Sequence, residues 1–189
     1  MMNETAEVVR DRAAGEDRRV RRTRQALVQA LVELVLAKRY ERITIQDLLE
    51  RADVGRSTFY AHFRGKDDLL LRSFERMLEH FDRALDGDGP ASPRIAPVRE
   101  LFQHVGEARR FHQALVRARM VERLYQVGAA QLARTIERRL PANTDRAPRA
   151  VQAQAHAGAL FALLRWWLDQ DAPYPAERMD EIFHALRFD

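Results

Sequence analysis

One stretch, residues 44–66, decides the fold of this 189-residue chain; it reads TIQDLLERADVGRSTFYAHFRGK. Thr44 is a suitable N-cap for a short helix, and Asp47 stands three residues later, where it can complete a capping box. Residues 52–55 interrupt that helix, and a second short helix is predicted over residues 56–63. Two short helices joined by a tight turn are typical of a helix-turn-helix.

The second short helix has two chemically different faces. Phe59 and Phe63 are spaced i, i+4, so they share a face that can be buried. Arg56, Ser57 and Tyr60 point the other way, and their guanidinium, hydroxyl and phenol groups can donate to base edges and phosphates in a major groove. Two residues at predicted helix N-termini, where free backbone N–H groups favour phosphate, extend this surface: Thr44 and Lys66. The pattern therefore predicts a DNA-binding surface.

Outward from this stretch, helical periodicity continues in both directions. Glycine (8) and proline (7) are scarce, and no segment shows sustained strand alternation. The sequence therefore predicts an all-α fold with about nine helices. The predicted helices outside the helix-turn-helix cover about 19–38, 66–85, 97–105, 109–140 (a short helix and a long one), 148–170 and a final helix near the C-terminus.

The positive charge lies in the first third of the chain. Residues 1–66 carry 14 Lys+Arg and 10 Asp+Glu, whereas residues 67–189 carry 18 of each, so the net charge of +4 belongs to the first segment. Five arginines fall within residues 18–24, either as a solvated helix start or as a phosphate-contacting arm. We predict a disordered tail at 1–17, a helix-turn-helix domain at 18–66 and a larger body at 67–189, with a linker at 86–96 and a loop at 141–147.

Several classes of function are excluded or disfavoured. The chain has no cysteine, no Gly-rich phosphate loop and no Gly-x-Ser-x-Gly elbow, so no catalytic constellation emerges and we predict that it is not an enzyme. His104 and His112 lie about two turns apart without a third ligand, so neither a metal nor a cofactor is predicted. The apolar runs are too short to span a bilayer, and no signal peptide is visible, which predicts a cytoplasmic protein.

The deciding stretch also resembles the DNA-binding head of the tetracycline-repressor (TetR/AcrR) family. The resemblance rests on the string Ser-Thr-Phe-Tyr-x-His-Phe…Lys-x-x-Leu at residues 57–69, and it covers roughly residues 20–70. Two residues depart from the commonest family pattern. Arg39 stands where a glycine often ends the first helix, and Gly55 stands where a serine often caps the recognition helix.

The resemblance implies a three-helix head, an all-α ligand-binding body, and a homodimer formed mainly by the last two helices. It also implies which side chains meet double-stranded DNA. Base contacts would come from Gln46, Arg56 and Ser57, with Tyr60 in reach of both bases and backbone. Phosphate contacts would come from Thr44, Thr58, Tyr60, His62 and Lys66.

The body is expected to hold an unknown small-molecule effector and to dimerise. Candidate ligand-binding residues are Phe102, His112, Met120, Tyr125, Phe161 and Trp166. The alternative for each is ordinary core packing. The small-residue face Ala155, Gly158, Ala159, Ala162, together with Trp166, Trp167, Ile182 and Phe183, is expected at the dimer interface.

We therefore expect a homodimeric regulator, a repressor that a small apolar or amphipathic effector releases from a palindromic operator. Two alternatives stay open from the sequence. The first is an effectorless DNA-binding regulator or architectural protein with a packed body. The second is a helical enzyme or interaction module in which the helix-turn-helix is only scaffold.

Overall fold

The computed structural model describes the backbone of residues 2–86, 93–141 and 147–186, and side chains from Arg18 onward. Within these ranges the protein is all-α, with nine α-helices, one short 3-10 helix and no strand, which confirms the predicted fold class. The helices are α1 (Met2–Ala37), α2 (Ile45–Ala52), α3 (Arg56–His62), α4 (Lys66–Asp86), α5 (Val98–Glu107), α6 (Arg109–Arg117), α7 (Val121–Arg139), α8 (Arg149–Asp169) and α9 (Ala176–Ala185). The 3-10 helix η1 (Tyr40–Arg42) lies between α1 and α2.

The chain divides into two compact units, Met1–Leu70 and Leu71–Asp189, and the division falls within α4. The sequence places its domain boundary four residues earlier, after Lys66. In the first unit α1 packs against α2, and the buried residues are mostly leucines and aromatic side chains. They are Leu27, Ala30, Leu31, Val35, Tyr40, Ile43, Leu48, Leu49, Phe59, Phe63, Leu69 and Leu70.

The second unit has its own core, in which α7 packs against α8 and α5 packs against α9. Gly128 on α7 allows two aromatic rings to lie close to the helix backbone. A Cβ built there would lie 2.4 Å from Phe161 Cζ and 2.8 Å from Phe74 Cε1, so the absence of a side chain is what lets both rings reach the helix. Trp167 on α8 packs its ring edge-to-face on Phe102, with ring centroids 5.1 Å apart.

Three predictions fall wholly or partly outside the described residues. α1 extends back to Met2, but the side chains of residues 1–17 lie outside the described part, so the predicted tail there is not tested. The linker at 86–96 and the loop at 141–147 include residues 87–92 and 142–146, which are also outside it. Of the described linker residues, Asp86 is still the last residue of α4, whereas residues 93–96 are not helical, and α5 starts directly after Pro97.

Candidate nucleic-acid interface

The recognition-helix candidate α3 separates its packing residues from its exposed residues as the sequence predicts. Phe59 and Phe63 are buried, and their rings contact each other at a centroid distance of 5.8 Å. Arg56 and Ser57 are exposed, and the Tyr60 side chain is 51% exposed. A helix of seven residues is too short to be stable alone, so the two phenylalanines hold it in place. The opposite face is free to meet a ligand.

The start of α3 departs from the serine-capped pattern, and the structure accommodates the difference. Gly55 is the N-cap, with φ −67° and ψ 148° and no side-chain hydrogen bond to the helix. This backbone conformation is open to any residue, so the glycine is not required by strain. Arg39, the other departure, has φ −60° and is equally unstrained. Both departures therefore leave the helix-turn-helix geometry intact.

The N-terminus of α2 is closed by a full capping box. Thr44 Oγ1 accepts from the Asp47 backbone N–H at 3.1 Å and donates to Asp47 Oδ2 at 2.8 Å, while the Thr44 backbone N–H donates to the same oxygen at 2.7 Å. Lys38 Nζ also lies 2.7 Å from this oxygen. The hydrogen bond from Lys38, followed by those from Thr44, holds the pKa of Asp47 well below its usual range. The Thr44 hydroxyl hydrogen, expected at a phosphate, is therefore already directed at Asp47.

A hydrogen bond joins Gln46 on α2 and Arg56 on α3, which are both expected to contact DNA bases. Arg56 Nη2 donates to Gln46 Oε1 at 3.1 Å, and Gln46 Nε2 donates to Glu50 Oε1 at 2.8 Å. These two hydrogen bonds fix which end of the Gln46 amide faces α3. It leaves most of the five Arg56 N–H donors available for a guanine edge or a phosphate.

Lys66 occupies a place that sequence reasoning missed. Its ammonium donates to the backbone carbonyls of Tyr40 and Ile43 at 2.8 Å each and lies 3.4 Å from that of Glu41. It also lies 4.7 Å from the centroid of the Tyr40 ring. The acceptors are backbone atoms, which carry no sequence signal. The residue that could have signalled the contact is Tyr40, because an aromatic residue in the connection between the first two helices can pack against a cation.

The remaining two predicted DNA contacts are less exposed than Arg56 and Ser57. Thr58 and His62 are half-buried on α3. The His62 ring packs edge-on against Phe63, with centroids 6.3 Å apart. Both side chains thus lie at the margin between the buried face and the exposed face, and their roles at DNA stay predictions.

The arginine-rich segment lies on α1. Arg18, Arg19, Arg21 and Arg22 are exposed, whereas Arg24 is half-buried. Residues 18, 21 and 22 have i, i+3 and i, i+4 spacing and share one side of the helix. A row of exposed guanidinium groups attracts a polyanion, although the spacing alone does not distinguish a phosphate-contacting arm from a solvated helix start.

Three of the six ligand-binding candidates come together in the second unit. His112 on α6 and Tyr125 on α7 are hydrogen-bonded, with 2.9 Å between Nε2 and Oη, and the Tyr125 ring packs on Phe161 of α8 at 5.0 Å. Burial lowers the pKa of His112 and raises the pKa of Tyr125 to about 12. The pair is therefore neutral at physiological pH and consists of two polar groups against an apolar wall.

The other three ligand-binding candidates lie apart from that cluster. Phe102 is fully buried against Trp167. Met120 is buried, and its sulfur lies 3.9 Å from Arg123 Nη1. Trp166 is 43% exposed and stacks on Tyr174, with ring centroids 6.4 Å apart. Core packing accounts for Phe102, and exposure sets Trp166 apart from the pocket candidates.

No group of three or more His, Asp or Glu side chains in the described residues is arranged to hold a metal ion. Across the same part of the chain, every helix is either too short or too polar to cross a membrane.

Comparisons with known proteins agree on one family. Residues 27–72 match the family of bacterial regulatory proteins known as the tetR family. The chain is 33% identical over 128 residues to the HTH-type transcriptional regulator TcmR of Streptomyces glaucescens, a match that covers 64% of this chain and 57% of TcmR. The chain therefore spans little more than half the length of that relative.

Solved structures show the same fold. A TetR transcriptional regulator from Streptococcus agalactiae has a TM-score of 0.59 at 22% identity, covering 91% of this chain and 97% of that one. The multidrug binding protein EbrR, solved with imidazole, has a TM-score of 0.52 at 25% identity, covering 85% of this chain and 92% of that one. Together with the exposed face of α3, the match at residues 27–72 shows that the first unit of this chain is similar to the tetR family of bacterial regulatory proteins.

Proposed function

We propose that this chain is a homodimeric repressor that binds a palindromic operator in double-stranded DNA and is released by a small apolar or amphipathic effector. The observation that carries the DNA-binding part is the exposed face of α3, where Arg56, Ser57 and Tyr60 stand over the buried pair Phe59 and Phe63. In a dimer, two α3 helices would enter major grooves about one helical turn, or a multiple of it, apart.

Homodimerisation is supported by the exposed apolar surface of α8 and the turn that follows it. Val151 is 57% exposed and Trp166 is 43% exposed, and Gly158 and Ala162 between them are also exposed. A small-residue face bordered by large apolar side chains allows two helices to approach closely, as in a four-helix bundle. Trp167 and Phe183, which the sequence also assigns to this interface, are buried in the core of a single chain instead.

Effector binding is supported by the neutral pair of His112 and Tyr125 beside Phe161. Two uncharged polar groups on an apolar wall suit an amphipathic aromatic compound, and EbrR, which shares the fold, is a multidrug binding protein. The coupling to DNA would pass along α4, which starts in the first unit and continues into the second. An affinity difference of about 1–3 kcal/mol between the two states would be ordinary for such a switch.

The proposal is tested by selecting bound sequences from a random pool of duplex DNA. We expect a palindrome with two half-sites, and failure to enrich any sequence at low salt would contradict DNA recognition. Trp166→Asp should shift the protein from dimer to monomer in sedimentation, whereas Val116→Asp, at an equally exposed apolar position on α6, should not.

The effector part is tested separately with the enriched operator. A panel of small apolar and amphipathic aromatic compounds is added to the complex, and release is followed by fluorescence anisotropy. Tyr125→Phe, which removes only the hydroxyl, should change the response to a releasing compound and leave effector-free DNA affinity unchanged. A panel without any releasing compound would instead support the effectorless alternative.

A further inference from the structure

The ammonium of Lys66 is fully occupied within the first unit. A lysine side chain has three N–H donors, and here three backbone carbonyls, those of Tyr40, Glu41 and Ile43, lie within 3.4 Å of the nitrogen. We call this arrangement the Lys66 tripod. A phosphate oxygen could bind the ammonium only by displacing one of these carbonyls.

A second contact next to the Lys66 tripod holds the same segment. The Tyr40 hydroxyl donates to Asp67 Oδ1 at 2.7 Å, and the Tyr40 side chain is buried. Lys66 and Asp67, the first two residues of α4, therefore both hydrogen-bond to η1. A 3-10 turn of three residues has little stability of its own, so its shape depends on these contacts.

The segment η1 leads directly into the part of the head that is proposed to contact DNA. The last carbonyl of the Lys66 tripod belongs to Ile43, and the next residue, Thr44, is the N-cap of α2. α2 is followed by α3 after a three-residue connection, residues 53–55. The position of η1 thus determines where α2 starts, and with it where Gln46 and Arg56 meet.

The choice of amino acid fits this role. Of the 32 basic residues in the chain only two are lysines, and both hold the same connection: Lys38 binds Asp47 of the capping box, and Lys66 forms the tripod. A compact ammonium can donate to three converging carbonyls, whereas the planar fork of an arginine cannot reproduce that geometry. An exposed phosphate contact would accept either residue.

We propose that Lys66 is a positioning residue that fixes η1 and so places α2 and α3, and that it is not the phosphate ligand that the family resemblance implies. This inference rests on the proposed DNA-binding function of α3. It predicts that the charge of Lys66 matters less than its geometry.

The test compares Lys66→Arg, which keeps the charge, with Lys66→Met, which keeps the length. Both variants should bind the selected operator about tenfold more weakly, because each loses charge-assisted hydrogen bonds that shape the head. Neither should lower the slope of log K against log salt. Both should lower the thermal midpoint of the protein without DNA, by about 4 °C. Tyr40→Phe, which removes no cation, should weaken binding in the same direction.

The opposite result would identify Lys66 as a phosphate ligand. In that case Lys66→Arg binds like the wild type, Lys66→Met lowers the salt slope by about 0.9, and the midpoint without DNA is unchanged. If the wild-type protein binds no DNA at low salt, the proposed function fails. The thermal midpoints of the two variants then still decide whether the tripod holds the head together.

Discussion

The contact at Gly128 permits a quantitative prediction for Gly128→Ala. Helix propensity alone would favour alanine by about 1 kcal/mol, because glycine is the costlier residue inside a helix such as α7. Packing acts in the opposite direction. The new methyl group would lie 2.4 Å from Phe161 Cζ and 2.8 Å from Phe74 Cε1, so both rings would have to retreat, the first by about 1 Å.

The ring that would lie closer to the methyl group, that of Phe161, has no easy way to retreat. Phe161 is buried and packs on Tyr125 at 5.0 Å, so its displacement disturbs a second aromatic contact. Overpacking of this kind costs about 1–3 kcal/mol, and two rings on one methyl group place the cost near the upper end. After the propensity gain, we expect Gly128→Ala to lower the free energy of unfolding by about 2 kcal/mol and the thermal midpoint by about 4–8 °C.

The assay is urea unfolding followed by circular dichroism, with a matched variant in the same helix. Ala130 is exposed on α7, so Ala130→Gly measures the propensity term of this helix alone and should cost about 1 kcal/mol. Phe161→Leu in the Gly128→Ala background should recover part of the loss through a favourable coupling of at least 0.5 kcal/mol or so. The reasoning is refuted if Gly128→Ala is as stable as the wild type while Ala130→Gly loses the expected amount.

Three further predictions concern the head and the body. Arg56→Ala should relax base preference at one position of each half-site and cost about 1–3 kcal/mol there, read from selection on the variant; an unchanged preference would remove Arg56 from base recognition. Gly55→Ser should raise the unfolding free energy by about 0.5 kcal/mol, since the backbone at Gly55 is unstrained and a serine can cap the Thr58 N–H; a loss measured in urea would show that the glycine is needed. Burial lowers the pKa of three histidines below 6.5, so these imidazoles take up protons more readily in the unfolded chain. The free energy of unfolding should therefore be at its full value above pH 6.5 and fall below it, by at most about 1.4 kcal/mol per pH unit for each group. A free energy of unfolding that stays constant between pH 7.5 and 5 would contradict this. The histidines are His104, His112 and His184.

Local signals in the sequence account for the parts of the fold that could be predicted. Thr44 and Asp47 form the capping box that fixes the start of α2, and the i, i+4 pair Phe59 and Phe63 selects the buried face of α3. These features depend on residues close together in the chain, so spacing is enough to find them. The exposed α3 face follows from the same pattern.

The parts that could not be predicted depend on partners far apart in sequence or on backbone atoms. Lys66 donates to backbone carbonyls more than twenty residues away in sequence, and no side-chain pattern predicts which carbonyls these are. Trp166 and Trp167 are adjacent on α8, where apolar residues occur on every side, so periodicity could not say which one is buried. The structure buries Trp167, whose indole Nε1 donates to the Tyr174 carbonyl at 2.7 Å, and exposes Trp166.

The separation of packing residues from exposed residues on α3 also bears on how a DNA-binding protein of this kind can change the DNA sequence that it prefers. Phe59 and Phe63 pack α3 against the core of the first unit. Arg56, Ser57 and Tyr60 are exposed and contribute little to that core. Substitutions on the exposed side can therefore accumulate without unfolding the head, since surface changes of this kind usually alter stability by less than about 0.5 kcal/mol. Operator preference can drift, or be redesigned in the laboratory, while the scaffold is inherited unchanged.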